Sequence, residues 1–453
     1  MRLRHAATGL TVALAGLIAS PAQAAWQPEQ QVNDDDATVT DIAGARVGTA
    51  DDGTATAVWL EWRGTDARVS ASRRPPGGDW GTPQPVADLT ENPNAASGGV
   101  ALDDMNVLPD GTALISYQEY EAEAPYDFVS HVVKLRPDGS ISEPLLSTYQ
   151  GKWLLTADAD SDWLATVPGT ERCSCANDTY YFSGGTRKYL GAPRGFGLRF
   201  ALGRGDLVFY AVDDPDGLFD LDHTLRVMRF GGSDGTAKLV ALMRPAGKVT
   251  GFDLDANTRG DVALTWSVRR EERGEPDTVR VLRHRAGGQW GSPQTLADSS
   301  GSGNKRIGAP QVEMTGDGGA LLAWSSPRDD RGRVDLDSTA LEPAGPPTPV
   351  QQLARNIRPD SRMLRWHMLV NDSGRAALAF RHTAPCMTEP VATSCDTVSA
   401  VRGVVGRRYG HPVVLFDSAT PYETVRLALS ETGVSIVLTV VDGTTLIRTR
   451  ALG

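Results

Sequence analysis

The sequence lacks the features that mark several large classes of protein. Its 453 residues include only seven histidines, scattered without HxH or HExxH spacing, which argues against a catalytic zinc. Lysine and arginine form no long block, and the formal net charge is −11. Such a chain does not match proteins that track nucleic-acid phosphates or bind anionic membranes. Helical periodicity is also essentially absent, which favours a β fold.

Long apolar runs are missing after the first residues of the chain. The run at 6–19 has about 14 residues, where a membrane-spanning helix needs roughly 20. Arg2 and Arg4 precede it, and Ala22-Gln23-Ala24 follows it. This arrangement predicts a signal peptide over 1–24 and a mature domain over 25–453. We therefore expect a secreted, extracellular protein without a membrane span.

Cysteine is scarce, and the four residues are Cys173, Cys175, Cys386 and Cys395. An even number in an oxidising compartment favours disulfides, and the CxC at Cys173 lacks the CxxC spacing of a zinc or redox site. Four cysteines allow three pairings, which the sequence leaves open. We prefer the local pair Cys386–Cys395, which closes a short loop. Cys173 and Cys175 would then form a small strained ring or stay reduced.

Two acidic segments, 158–162 and 253–257, have the alternating oxygens of a calcium-binding loop. Both lack the glycine at the sixth position and the closing glutamate of such a loop, so acidic hairpins are the favoured interpretation. No cofactor is expected, and a calcium requirement stays open.

A repeated segment fills most of the chain. In each clear copy a polar turn with glycine leads into a β-rich run, and an aromatic residue stands six positions after the glycine. Gly53 before Trp59 and Gly111 before Tyr117 are two of five clear copies. Weaker copies raise the number to eight, with turns at positions 53, 111, 162, 205, 260, 318, 374 and 433. Such turns between alternating runs predict β-hairpins.

A second element, WxxxQx[VL], indicates how the repeats close. It begins at Trp80 and Trp290, and a related copy begins at Trp26, before any complete unit, while the last unit ends one strand short. A closed ring requires this arrangement, because pairing the two ends removes exposed strand edges. The sequence therefore predicts an all-β fold, a single β-propeller of eight four-stranded blades closed by its N-terminal strand. Seven blades remain the alternative, because the unit around 158–191 departs most from the pattern.

With these DGxAxxxW-type hairpins and WGxPxxL-type outer strands, the chain resembles the secreted bacterial propeller-like repeat proteins. The resemblance covers nearly the whole mature chain. It implies the repeat architecture but is almost silent on function, which must be argued from a site. The recurrent aromatics are expected to pack between blades rather than to bind a ligand.

The innermost strand of each blade shows an alternation that predicts a polar channel. Counted back from the turn glycine, even positions are mostly apolar and odd positions are often polar or charged. The candidate ligand-binding residues at odd positions are Arg46, Asp104, Asp253, Glu313, His367 and Arg426. We expect them to bind a small anionic or polyhydroxylated ligand, with Arg46 and Arg426 as clamps. A channel that simply holds water is the alternative.

Two functions fit this expectation. One is a non-catalytic, monomeric, exported propeller that binds a protein or a carbohydrate through the channel mouth and three long loops on one face, 168–177, 213–223 and 383–394. The other is a glycoside hydrolase or lyase acting on an extracellular glycan, with Asp104, Asp253, Glu313 and His367 as acid/base candidates. A carboxylate pair with strongly shifted pKa values at the mouth would favour the enzyme, and an apolar plug would favour the binder.

Overall fold

A computed structural model of the chain describes residues 26–33, 36, 38–89, 100–121, 128–148, 153–158, 161–167, 179–191, 196–203, 207–215, 223–230, 238–245, 247–269, 277–299, 307–328, 332–359, 364–386, 394–441 and 445–452. Over these residues the strands form eight four-stranded antiparallel sheets. The predicted eight-bladed propeller is therefore confirmed, and each sheet is one blade.

The first four blades follow one another along the chain, after a short strand β1 (Gln30–Gln31). Blade one contains β2 (Asp41–Thr49), β3 (Ala55–Arg63), β4 (Asp66–Arg74) and β5 (Gln84–Leu89). Blade two contains β6 (Ala101–Val107), β7 (Ala113–Tyr120), β8 (Phe128–Leu135) and β9 (Leu146–Thr148). Blade three contains β10 (Leu154–Ala157), β11 (Trp163–Thr166), β12 (Thr179–Ser183) and β13 (Thr186–Gly191). Blade four contains β14 (Phe196–Gly203), β15 (Leu207–Pro215), β16 (His223–Phe230) and β17 (Lys238–Met243).

The remaining blades repeat this meander, with the first strand of each innermost. Blade five contains β18 (Lys248–Ala256), β19 (Val262–Arg269), β20 (Thr278–His284) and β21 (Gln294–Asp298). Blade six contains β22 (Gln311–Met314), β23 (Ala320–Pro327), β24 (Val334–Leu341) and β25 (Gln351–Ile357). Blade seven contains β26 (Arg365–Val370), β27 (Arg375–Ala384), β28 (Cys395–Val404) and β29 (Val413–Ser418). Blade eight contains β30 (Tyr422–Leu429), β31 (Ser435–Val441), β32 (Ile447–Leu452) and, at its outer edge, β1.

The turn between the first two strands of a blade explains why the repeat is clear in some parts of the sequence and weak in others. In blade six, Gly318 has a φ of +91° and donates its N–H to Thr315 O at 3.0 Å. Glycine suits this left-handed backbone because it carries no Cβ to clash. In blade three the positive φ of +64° falls on Ser161 instead of a glycine, so the sequence signal is weakest there. The turn predicted at Gly205 lies outside the described residues.

Apolar layers between neighbouring blades form the core. The recurrent aromatics are all buried there: Trp59, Tyr117, Trp266, Trp324 and Phe380. Trp59 of blade one, for example, belongs to one cluster with Ile436 and Leu438 of blade eight. Because large aromatics supply much of the buried apolar area, the repeated aromatic mainly holds adjacent blades together.

The two ends of the chain meet in blade eight, as predicted. β1 pairs antiparallel with β32, with Gln30 opposite Thr449. Asn33 extends the contact, because its side chain donates to Thr445 O at 2.6 Å and accepts the N–H of Ile447 at 2.8 Å. Blade one then packs against blade eight, which completes the ring.

The predicted disulfide Cys386–Cys395 is present and closes the loop that connects β27 to β28. Cys173 and Cys175 lie outside the described residues, as do the predicted signal peptide and most of the three long loops. Among the described residues, no helix has the length and apolar character needed to cross a membrane.

Candidate functional site

A cavity of about 680 Å³ lies where the innermost strands converge, at the end where they turn back into the second strands. Residues of the innermost strand of every blade line it. The cavity is therefore the mouth of the central channel.

Five of the six predicted ligand-binding residues line this cavity: Arg46, Asp104, Glu313, His367 and Arg426. Asp253 is not part of its lining. One oxygen of Asp253 accepts the N–H of Val312 at 3.0 Å, and the other lies 3.7 Å from Arg199 Nε. The structure thus ties Asp253 to its neighbours instead of presenting it at the mouth.

The odd-position carboxylates reach the innermost strand of the following blade. The bonds of this kind run from Leu155 N to Asp104 Oδ2 at 2.9 Å, from Val312 N to Asp253 Oδ2 at 3.0 Å and from Met314 N to Asp255 Oδ2 at 2.6 Å. The innermost strand is an edge of its sheet, so its outward N–H groups need acceptors that no further strand supplies. All three acids therefore join neighbouring blades, a role that the alternation in the sequence does not reveal, and Asp104 and Asp255 also line the cavity.

Three cationic or ionisable groups on consecutive blades form one side of the cavity. Arg46 of blade one donates to Asp103 O of blade two at 2.8 Å. Arg426 of blade eight donates to Val425 O at 3.1 Å. His367 of blade seven is exposed to the cavity, and its ring makes no hydrogen bond with the described residues. We call Arg46, Arg426 and His367 the cationic arc.

Desolvation and mutual repulsion shift the titration of the cationic arc. Desolvation, and then the charge of Arg46, lowers the pKa of Arg426 to about 10. Desolvation, and then the charges of Arg426 and Arg46, lowers the pKa of His367 to about 4, so the imidazole is neutral at neutral pH. Asp104 acts in the opposite direction on both arginines. The arc therefore presents two crowded guanidinium groups beside a neutral ring.

Carboxyl groups of blades five and six form another side of the cavity. Desolvation, helped by the charges of Asp253 and Asp372, raises the pKa of Asp255 to about 7. The hydrogen bond from the N–H of Met314 acts in the opposite direction and lowers this pKa. Desolvation, followed by the charges of Asp255 and Asp253, raises the pKa of Glu313 well above its usual range. Asp255 and Glu313 keep part of their surface in contact with solvent through the cavity. They form the pair with shifted pKa values that an enzyme would need.

The rim of the mouth is acidic and was missed by sequence reasoning. Asp51, Asp372 and Glu431 line the cavity on blades one, seven and eight, and Asp372 N–H donates to Glu431 Oε1 at 3.0 Å. Burial, and then the charge of Asp372, raises the pKa of Asp51. Each of the three stands two positions before its turn glycine. That shared position was the available signal, but turn residues were interpreted only as hairpin markers.

The acidic hairpins were the candidate metal-binding segments of the sequence. Within the described part of the chain, no group of three or more His, Cys, Asp or Glu side chains is placed to hold a metal ion. In the 253–257 segment, Asn257 accepts the N–H of Asp261 at 3.0 Å and donates to Thr315 O at 2.9 Å, which accounts for its position in the turn. The expectation of no cofactor stays a prediction, with a calcium requirement left open.

Comparisons with known proteins found only distant similarities. No protein-family model and no curated protein matches the sequence. One similar solved structure is a protein of unknown function from Dyadobacter fermentans, at 11% identity over 83% of this chain and 98% of that chain, with a TM-score of 0.40. A second is the β-propeller domain of the trilobed protease from Pyrococcus furiosus, at 11% identity over 84% and 99%, with a TM-score of 0.46. A third is an ulvan lyase from a new family of polysaccharide lyases, at 11% identity over 90% and 91%, with a TM-score of 0.44. At these identities and TM-scores, the likenesses carry no argument about this chain.

Proposed function

We propose that this protein is an exported propeller that binds the acidic group of a small, carbohydrate-like ligand in its central cavity, without cleaving it. Export is supported by the predicted signal peptide at 1–24 and by the Cys386–Cys395 disulfide, which suits an oxidising compartment. The predicted role of the long loops in binding a protein partner concerns segments that lie mostly outside the described residues. It stays a prediction.

The observation that carries the proposal is that Arg46 and Arg426 line the same cavity. Two guanidinium groups on neighbouring blades face one cavity, and the charge of Arg46 opposes that of Arg426. An anion placed between them would relieve this repulsion and receive charge-assisted hydrogen bonds. The neutral His367 ring beside them can donate to or accept from a hydroxyl group. Arginine clamps combined with uncharged hydrogen-bonding groups are suited to an acidic sugar.

The test is a binding array of acidic and neutral saccharides, followed by calorimetry on each that binds. We expect Arg46→Ala/Arg426→Ala to weaken binding of the acidic sugar by roughly 100-fold or more, because charge-assisted hydrogen bonds contribute about 1.5–3 kcal/mol each. Affinity should also fall as salt is added. The matched control is Arg407→Ala/Arg408→Ala, which removes the same charge from exposed positions. Equal affinities in both double variants would contradict the clamp.

A second candidate function is favoured by the Asp255 and Glu313 pair. A protonated carboxyl near neutral pH can act as a general acid, and its partner as a base, on a glycan held at the cationic arc. The measurement is release of new sugar ends from the bound glycan between about pH 5 and pH 8. Cleavage that Glu313→Gln removes would assign the protein to the hydrolases or lyases. Tight binding without cleavage would leave the binding function.

A further inference from the structure

A second cavity lies at the opposite end of the innermost strands. It has a volume of about 360 Å³ and opens between blades six, seven and eight. Gln311, Arg365 and Trp366 line it, and His367 and Arg426 line both this cavity and the central one. The two cavities are therefore adjacent along the channel.

The innermost strand of blade six is short beside this cavity. β22 has only four residues, and Gly308 and Ala309 precede it. A Cβ added at Gly308 would lie 2.2 Å from Ser325 Oγ, so the chain here runs directly against β23. Gly308, Ala309 and Trp366 all line the cavity.

The lining combines an aromatic ring with polar side chains, of which Gln311, Arg365 and His367 have no hydrogen-bond partner among the described residues. Trp366 packs against the apolar cluster between blades six and seven and also borders the cavity. Across the described residues, the side chains of Gln311 and Arg365 make no hydrogen bond or ion pair, and the His367 ring makes no hydrogen bond. An anchored indole and free amide, imidazole and guanidinium groups suit a sugar ring and its hydroxyl groups.

We infer that the second cavity is a further sugar subsite, so that the ligand is a short, linear, acidic oligosaccharide spanning both cavities. This inference rests on the proposed function. An acidic unit binds at Arg46 and Arg426, the next units lie against Trp366, and Arg365 meets a further acidic group at the far opening. At about 3.3 Å per residue, β26 from Arg365 to Val370 covers roughly 17 Å, which is longer than one sugar unit. The net charge of −11 disfavours a long polyanion lying along the outer surface.

The experiment is isothermal titration calorimetry with uronic acids and sulfated sugars, each as a monosaccharide and as the matching tetrasaccharide. We expect the wild-type protein to bind the tetrasaccharide about tenfold more tightly than the monosaccharide, or better. In Trp366→Ala this ratio should fall close to one. Trp290→Ala, which removes a tryptophan from the outer part of blade five, should keep the wild-type ratio. Arg365→Ala/Gln311→Ala changes only polar groups and should also lower the ratio, which keeps the test valid if Trp366→Ala does not fold.

Three outcomes would overturn the inference in distinguishable ways. Equal affinity for both lengths in the wild-type protein removes the second subsite but leaves the proposed function. A length dependence that survives both second-cavity variants places the extra contacts elsewhere. Failure of every acidic sugar to bind, at either length, removes the proposed function itself.

Discussion

At the scale of single residues, the channel carboxylates combine two demands. Asp255 must accept the N–H of Met314 to satisfy the edge of blade six, yet it lies beside Asp253 and Glu313. Its position therefore stabilises the backbone while it disfavours its own ionisation. Desolvation, with the charges of Asp253 and Asp372, outweighs the N–H of Met314, which favours the ionised form, so the pKa of Asp255 is raised to about 7.

This conflict predicts that Asp255→Asn stabilises the protein at high pH. The pKa of Asp255 is about 7 in the folded chain against the usual 3.8, so its contribution to the free energy of unfolding is complete below about pH 4 and is lost as the pH rises through about 7. Asparagine keeps the acceptor for Met314 and cannot ionise. We expect a gain of about 1 kcal/mol near pH 8, after allowance for solvent in the cavity, and almost none near pH 4. Urea unfolding at both pH values measures it.

Glu342→Gln is the matched control, since Glu342 is exposed and should give no change at either pH. His367 contributes in the opposite sense, because its depressed pKa of about 4 costs stability as the pH falls below about 6.5. This contribution of His367 is the same in the wild-type protein, Asp255→Asn and Glu342→Gln, so it cancels when their stabilities are compared. A loss of stability in Asp255→Asn near pH 8 would mean that the folded protein needs the ionised carboxylate.

At the scale of strands, the alternation in the sequence was informative but incomplete. It separated Arg46 and Asp104 from their apolar neighbours, and these residues do line the mouth. It could not distinguish a side chain that faces the cavity from one, such as Asp253, that is tied to the next blade, because both stand at odd positions. That distinction depends on the spacing between sheets, and no single strand encodes it.

The β27–β28 hairpin shows how one element links two blades. Asp396, next to Cys395, pairs with Arg381 Nε at 2.6 Å and accepts the N–H of Tyr422 at 2.7 Å, at the start of β30. The side chains of Arg381 and Asp396 are only 9% and 8% exposed, so the pair needs a fixed geometry where the two strands enter their connecting loop. The disulfide Cys386–Cys395 supplies that constraint.

We therefore expect Cys386→Ala/Cys395→Ala to lower the free energy of unfolding by about 2–3 kcal/mol, because the disulfide closes a short loop in the unfolded chain. Denaturant titration measures the change, and reductant added to the wild-type protein should reproduce it. Reductant added to the double variant isolates any effect of Cys173 and Cys175. An unchanged transition midpoint in the double variant would show that the ion pair holds the hairpin without the disulfide.

At the scale of the whole molecule, the ring could be predicted because its closure leaves a mark at both ends of the chain. The orphan Trp26 motif and the incomplete last unit require each other, and β1 does pair with β32. The number of blades was less certain, since Ser161 replaces the turn glycine of blade three. The position of the cavity could be predicted from the sequence, but its size could not, because the size depends on how eight strands converge.

The role of Asn33 in closing the ring predicts that Asn33→Ala lowers the stability of the whole protein and also loosens the last strand locally. In Asn33→Ala the N–H of Ile447 loses its acceptor in a buried position, which should cost about 1–3 kcal/mol. Hydrogen exchange should rise first in 445–452, since β32 becomes an edge once β1 separates, and an unpaired edge invites association between molecules. Gln31→Ala is the control, because the Gln31 side chain is exposed and bonds only to Asn33 O within the described residues. Exchange mass spectrometry and light scattering measure both effects. If exchange in 445–452 stayed at the wild-type level while stability fell, the ring would be opening at another blade boundary and β1 would not be its closing strand.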